Sequence, residues 1–206
     1  MNYTIPTTVL DNFFDNPYEV RKFALEQEYF TDPNHTYPGK RTRELHEINR
    51  PLFLHTIDRF NSLFYRSGEV QSWAARVQFQ LIDDSYNSGW VHRDNEMISG
   101  IIYLTPDADP NSGTTIYKPK FTGASELICP QKYMQPEESR TANNDQFEEA
   151  IVVKNYFNRL LAFDSREFHA ANDYFGKDDT TSRLTLVFFI EKLNTRHLPI
   201  QRLHLI

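Results

Sequence analysis

"GWVHRDNEMISGIIYLT", residues 89–105, sets His92 and Asp94 two positions apart, directly ahead of an apolar run. That run, "MISGIIYLT" (97–105), reads as a strand. In extended chain, residues i and i+2 share a face, roughly 6–7 Å apart along the strand. An imidazole and a carboxylate so placed have two readings. They are a polar loop entering a strand, or they are two of the three ligands of a metal of intermediate softness, with nitrogen and oxygen but no thiolate. H-x-D alone does not separate these readings, so the third ligand has to be sought in the rest of the chain.

The segments around this stretch carry the same strand signal. Just before it, "WAARVQFQLI" (73–82) alternates Val77, Phe79 and Leu81 with Arg76, Gln78 and Gln80, a period of two. After it, "TTIYK" (114–118), "AIVVKNY" (150–156), "RLLAFD" (159–164) and "RLTLVFFIEKL" (183–193) read as further strands, separated by turn clusters such as "PDADPNSG" and "FGKDDTTS". Upstream, "TTVLDNFF" (7–14) reads as an opening strand. A helix then starts with Asn16 as N-cap and Pro17 at its first position. "TDPNHTYPGKRT" (31–42) is a loop by composition, and "RPLFLHTIDRFNSLF" (50–64) has helical spacing of Leu52, Phe53, Ile57 and Phe60. Helices come first and strands follow with no helix between them. That order predicts an antiparallel sandwich or barrel, mainly β, with the helices packed outside it.

Composition bounds the function. A chain of 206 residues with 39% hydrophobic residues, including 16 Phe, can bury a sizeable core within one domain. We expect a single domain over 1–206, with an N-terminal strand and helices (1–72), a β core (73–193) and a tail (194–206). The net charge of −6 argues against a nucleic-acid backbone as partner. The lone Cys129 excludes an internal disulfide and a Cys-rich zinc cluster. The N-terminus "MNYTIPTTVLDNFF" lacks the basic and apolar regions of a secretion signal, and no window reaches 18 apolar residues. The expected setting is cytoplasmic, with no membrane partner. Residues 119–149 are long, polar and Pro-bearing. They are expected to be an insertion, either a disordered excursion or a lid over the pocket mouth.

Of the other histidines, His35 falls in a loop, His46 and His55 in or near the helical region, and His197 and His204 in the tail. Only His169, in "LLAFDSREFHAAN", follows a buried-looking strand of the β region. Further on, "SRLTLVFFI" places Leu184, Leu186, Phe188 and Ile190 on one face and Arg183, Thr185, Val187 and Phe189 on the other. An arginine opening so apolar a strand is costly unless it meets an anion. Its guanidinium fork matches a carboxylate, and Thr185 on the same face can add a hydroxyl.

Taken together, "VHRDN", "GIIYLT" followed by the Ser-Gly-Thr of "NSGTTIY", "FNRLLAFDSREFHA" and "SRLTLVFF" resemble the Fe(II)- and 2-oxoglutarate-dependent oxygenases, closest to the prolyl-hydroxylase branch. The resemblance covers roughly residues 73–192. It implies a double-stranded β-helix (jelly roll). His92, Asp94 and His169 would be the Fe(II) ligands and the catalytic centre. Arg183 would pair with the far carboxylate of 2-oxoglutarate, with Tyr103 bonding the same carboxylate and Thr185 assisting. It also implies O2 as co-substrate, ascorbate as stimulant, and hydroxylation of an unactivated C–H bond with release of succinate and CO2. The substrate would be peptidyl, proline first, ahead of a small metabolite. The alternative of a different class is a non-catalytic jelly-roll binding module that keeps the scaffold. The face bearing Arg76, Gln78 and Gln80 either lines a pocket or meets solvent. Tyr86 and Trp90 are packing residues or substrate contacts, and Arg166 and Asn172 flank His169 as further candidates for substrate contact.

Overall fold

The computed structural model describes residues 5–34, 37–86, 89–120 and 145–199. Ten strands, β1 (Thr8–Leu10), β2 (Phe30–Thr31), β3 (Lys40–Arg41), β4 (Val70–Ile82), β5 (Ile98–Tyr103), β6 (Thr114–Pro119), β7 (Phe147–Val153), β8 (Leu160–Asp164), β9 (Phe168–Ala171) and β10 (Arg183–Thr195), form two sheets. The larger has the order β1-β8-β5-β10-β4-β3-β2 and the smaller β7-β6-β9. Every ladder between these strands is antiparallel. The helices α1 (Pro17–Leu25), α2 (Leu45–Ile48) and α3 (Arg50–Ser62) all precede β4. This is the antiparallel sandwich with outer helices that the element order predicted, in the jelly-roll form that the resemblance implied.

Alternation along β10 organises the molecule. Leu184, Leu186, Phe188 and Ile190 join Val77, Phe79 and Leu81 of β4 and the helix residues Val20, Ala24, Phe53, Ile57 and Phe60 in one apolar core. Phe188 meets Phe60 with ring centres 5.0 Å apart. The helices thus cover the outer face of the large sheet. Opposite Phe188 on β5 stands Gly100, where a Cβ would lie 2.0 Å from the Phe188 ring. Any side chain there displaces the aromatic that joins strand to helix. The other face of β10 looks into the space between the sheets. There Tyr103, Leu161 and Phe163 of the large sheet pack on Ile116 and Val153 of the small one.

Local signals account for the helix starts unevenly. Asn49 caps α3, its side chain accepting from the Leu52 amide at 3.1 Å. Asn16 does occupy the N-cap position of α1, but its side chain makes no capping bond, so the proline at the helix start carries the signal. Several predicted boundaries are corrected. The opening strand stops at Leu10, because Asn12 turns the chain at φ 58°. The loop over 31–42 contains two-residue strands, and Lys40 and Arg41 pair with β4. His169 follows the buried β8, as expected, but lies on a strand of its own, β9. The predicted insertion over 119–149 is shorter, since Pro119 and Phe147 onward are strand. Residues 121–144 of that insertion lie outside the described residues, and with them the expected lid and Cys129; His35 and His204 lie outside as well. Among the described residues no helix is long and apolar enough to cross a membrane.

Candidate metal centre

His92 sits in an isolated antiparallel bridge with His169. Each backbone amide donates to the other's carbonyl, His92 N to His169 O at 3.0 Å and His169 N to His92 O at 2.7 Å. The Asp94 amide donates to Ser165 O at 3.0 Å. The H-x-D segment is therefore pinned to β9 and to the turn before it. Gly89 permits this approach, since a Cβ there would lie 2.5 Å from the Ala171 carbonyl oxygen. Backbone pairing brings the three residues together, although 75 positions separate Asp94 from His169 in the chain.

Their side chains converge. Nε2 of His169 is 3.5 Å from Asp94 Oδ2, Nε2 of His92 is 3.8 Å from Asp94 Oδ1, and the three ligand atoms all lie within 4.8 Å of one another. Each Nδ1 faces a backbone carbonyl, His92 to Trp90 O at 2.9 Å and His169 to Glu167 O at 3.0 Å. A carbonyl only accepts, so both Nδ1 atoms carry the proton and both Nε2 lone pairs point inward. Ser99 on β5 donates to Asp94 Oδ2 at 2.5 Å, and its hydroxyl is 2.8 Å from that of Ser165. This fixes the carboxylate without using its other oxygen.

The electrostatics suit a cation. Burial, aided by His92, pulls His169 down to about 4, so its ring is neutral at neutral pH. Burial alone would raise Asp94, but the two histidines, the Ser99 hydroxyl and Arg41 together hold it below the usual carboxylate range. Neutral imidazoles and an ionised carboxylate are the protonation states that a divalent ion requires of its ligands. Ligand atoms bound at ~2.1 Å on adjacent corners of one ion sit about 3 Å apart. The two histidine–carboxylate separations, 3.5 and 3.8 Å, exceed that by less than 1 Å, so this donor set fits a divalent transition metal that draws the side chains together.

Arg183, Thr185 and Tyr103 lie deeper between the sheets. Thr185 is paired with Tyr103 on β5 and with Gln80 on β4. Arg183 is 3% exposed, with its guanidinium 5.5 Å from the centre of the Tyr103 ring. Its Nε donates to Ser112 O at 3.4 Å, while Nη2 has no hydrogen-bond partner among the described residues. The fully buried Thr185 hydroxyl has none either. The Tyr103 hydroxyl donates to Thr114 Oγ1 at 2.9 Å and keeps its acceptor lone pairs. Burial raises Tyr103, with Arg183 opposing. A buried guanidinium and a buried hydroxyl with unfilled bonding capacity on one face match the carboxylate end of a small acid.

The remaining candidates divide. Arg76, Gln78 and Gln80 are on the face turned between the sheets, but their bonds go to the protein. Gln78 donates to Thr42 O, Gln80 to Pro38 O, and Arg76 pairs with Glu96 and Glu191. Arg166 grips the Asp164 carboxylate at 2.8–2.9 Å, and Asn172 accepts from Thr115 Oγ1 at 2.7 Å. Trp90 packs its ring 5.7 Å from that of His92, and Tyr86 meets Tyr174 edge-on at 6.3 Å. Ser99 and Arg41 are site residues that motif reading passed over. The parity of β5 carried the signal for Ser99, because it shares a face with Tyr103.

A sequence model of DUF6445, described as a family of unknown function, matches residues 2–190. No curated protein matches the sequence. Among solved structures, the chain is similar to HygX from Streptomyces hygroscopicus with nickel and 2-oxoglutarate bound, with a TM-score of 0.59 and 12% identity over 90% of this chain and 82% of that one. It is also similar to a prolyl hydroxylase from Trichoplax adhaerens in complex with a hypoxia inducible factor peptide fragment (TM-score 0.51, 12% identity, 90% and 83% covered). SnoN, a non-heme alpha ketoglutarate dependent epimerase from nogalamycin biosynthesis, gives a TM-score of 0.53 at 12% identity, with 93% and 81% covered. At such identities the likeness is one of fold, shared with proteins named for that chemistry or holding its ligands.

Proposed function

The chain belongs to the DUF6445 family, and from that premise we propose that it is an Fe(II)- and 2-oxoglutarate-dependent oxygenase. One observation carries the reading. A convergent His92, Asp94 and His169 set shares the inter-sheet space with a buried arginine whose Nη2 has no partner among the described residues. A binding module that merely kept the scaffold has no use for that buried, unpaired charge. HygX was solved with nickel and 2-oxoglutarate bound, which supports the same ligand pair here.

In this reading His92, Asp94 and His169 hold the metal, and Arg183 with Thr185 holds the distal carboxylate of 2-oxoglutarate, joined by Tyr103 when its hydroxyl turns from Thr114 to donate to that carboxylate. Bound iron supplies activation of O2 coupled to oxidative decarboxylation of 2-oxoglutarate, yielding succinate, CO2 and an oxidised substrate. The chain's own work is positional. The Trp90 and Glu167 carbonyls aim the imidazoles, Ser99 fixes the carboxylate, and the packed residues between the sheets exclude water. Hydroxylation of a C–H bond is the proposed outcome. A peptidyl substrate, proline first, rests on the motif resemblance and on the peptide-bound prolyl hydroxylase. A small-molecule substrate has the support of HygX, which was also solved with hygromycin B bound.

The test needs no substrate. Purified protein with Fe(II), ascorbate and carboxyl-labelled 2-oxoglutarate should release labelled CO2 slowly, and Asp94→Ala should abolish the release. Release equal to a metal-only blank in the parent protein, under conditions where it binds both ligands, would count against an oxygenase.

A further inference from the structure

Arg41 bears on the centre so far described only through its charge, which helps keep Asp94 ionised, and its guanidinium faces the same space. Its partner across the ladder is Gln80, whose own partner on the far side is Thr185. Directly opposed residues of antiparallel strands share a face. Arg41 therefore looks inward, two strand spacings, about 10 Å, from Thr185. Its guanidinium lies 3.9 Å from the centre of the Tyr37 ring and 5.7 Å from that of Phe189. Phe189 is opposite Ser99, the residue that bonds Asp94. Arg41 and Asp94 are close enough for each charge to steady the other.

Among the described residues no hydrogen bond is made by the buried Nε of this group, and no carboxylate forms an ion pair with it. The contrast with its neighbours is sharp. Lys40 pairs with Asp179 and Arg76 with Glu96 and Glu191. An arginine stacked on an aromatic ring keeps its in-plane N–H edge available, and that edge fits an oxyanion two-pronged. Burial also pulls the Arg41 guanidinium down to about 10, with Tyr37, Asp94 and Glu44 opposing.

We propose that Arg41, stacked on Tyr37 and beside Phe189, is the subsite for an oxyanion of the substrate, a carboxylate or a phosphate, held two strands along the large sheet from the Arg183 end. This rests on the oxygenase reading and narrows it. The substrate is then an acid whose reacting carbon lies a short span from its anionic group, and Arg41 selects and orients it.

The probes are acetate and inorganic phosphate, added separately to full-length protein loaded with Mn(II) and saturating 2-oxoglutarate. Paramagnetic broadening of the acetate methyl proton signal and of the phosphate phosphorus signal reports an anion held near the metal. Broadening of either signal by the parent protein, with affinity falling about tenfold or more in Arg41→Gln, supports the subsite and tells carboxylate from phosphate. Arg41→Lys should recover part of that affinity, and its melting curve guards against misfolding of the glutamine variant. Equal broadening in parent and Arg41→Gln means that the anion binds the metal itself, and it overturns the proposal; so does broadening of neither signal by the loaded parent. If the parent binds neither Mn(II) nor 2-oxoglutarate, the oxygenase reading fails instead.

Discussion

At the scale of single residues, Arg183 separates the two ligand sites most cleanly. Breaking a buried pair by removing one partner typically costs about 3–5 kcal/mol, roughly two to four decades in affinity. Arg183→Ala should therefore weaken 2-oxoglutarate binding by about a hundredfold or more while leaving Mn(II) binding nearly unchanged, since the triad does not touch it. Arg183→Lys should recover only part, because a point charge cannot make the forked contact. Asp94→Ala should lose the metal first and the acid in consequence. Calorimetric titration of both ligands distinguishes these patterns, and parent-like 2-oxoglutarate affinity in Arg183→Ala would move the clamp elsewhere. The sequence exposed Arg183 because a cation opening an apolar strand is conspicuous. It hid Arg41, because "TYPGKRT" has loop composition and two-residue strands owe their pairing to β4 and not to any pattern of their own.

At the scale of elements, β10 was legible because it is a long apolar run that opens with Arg183 and Thr185 alternating against Leu184 and Leu186. β9 was not, since four residues are too few to show a period. The start of β7 was lost for another reason: residues 148–152 are exposed on both faces, so no apolar alternation marks them. The same reasoning makes Gly100 a structural position. Gly100→Ala drives a methyl into the Phe188 ring, and overpacking of this kind typically costs about 1–3 kcal/mol. Denaturant unfolding should show that loss. An unchanged midpoint would mean that Phe188 has room to move and that the contact between strand and helix layer is looser than it looks.

For the molecule as a whole, the centre joins parts that the chain keeps far apart. His169 belongs to the small sheet, while Asp94 is tied through Ser99 to the large one. A metal bound only by the folded chain should stabilise it by mass action, about 2.7 kcal/mol at a hundredfold excess over Kd, which in a chain of this size is roughly 5–10 °C in melting temperature. Mn(II) should produce that shift in the parent and none in Asp94→Ala; equal shifts in both would place the ion elsewhere. The two-faced β10 also bears on descent. Leu184, Leu186, Phe188 and Ile190 answer to the core, and Arg183 and Thr185 to the proposed chemistry, on the same strand but on opposite sides of it. A lineage can therefore mutate one set without disturbing the other. On the proposed reading, substitution of Arg183 or Asp94 removes the reaction but leaves the apolar face intact, a scaffold on which a different chemistry can be selected.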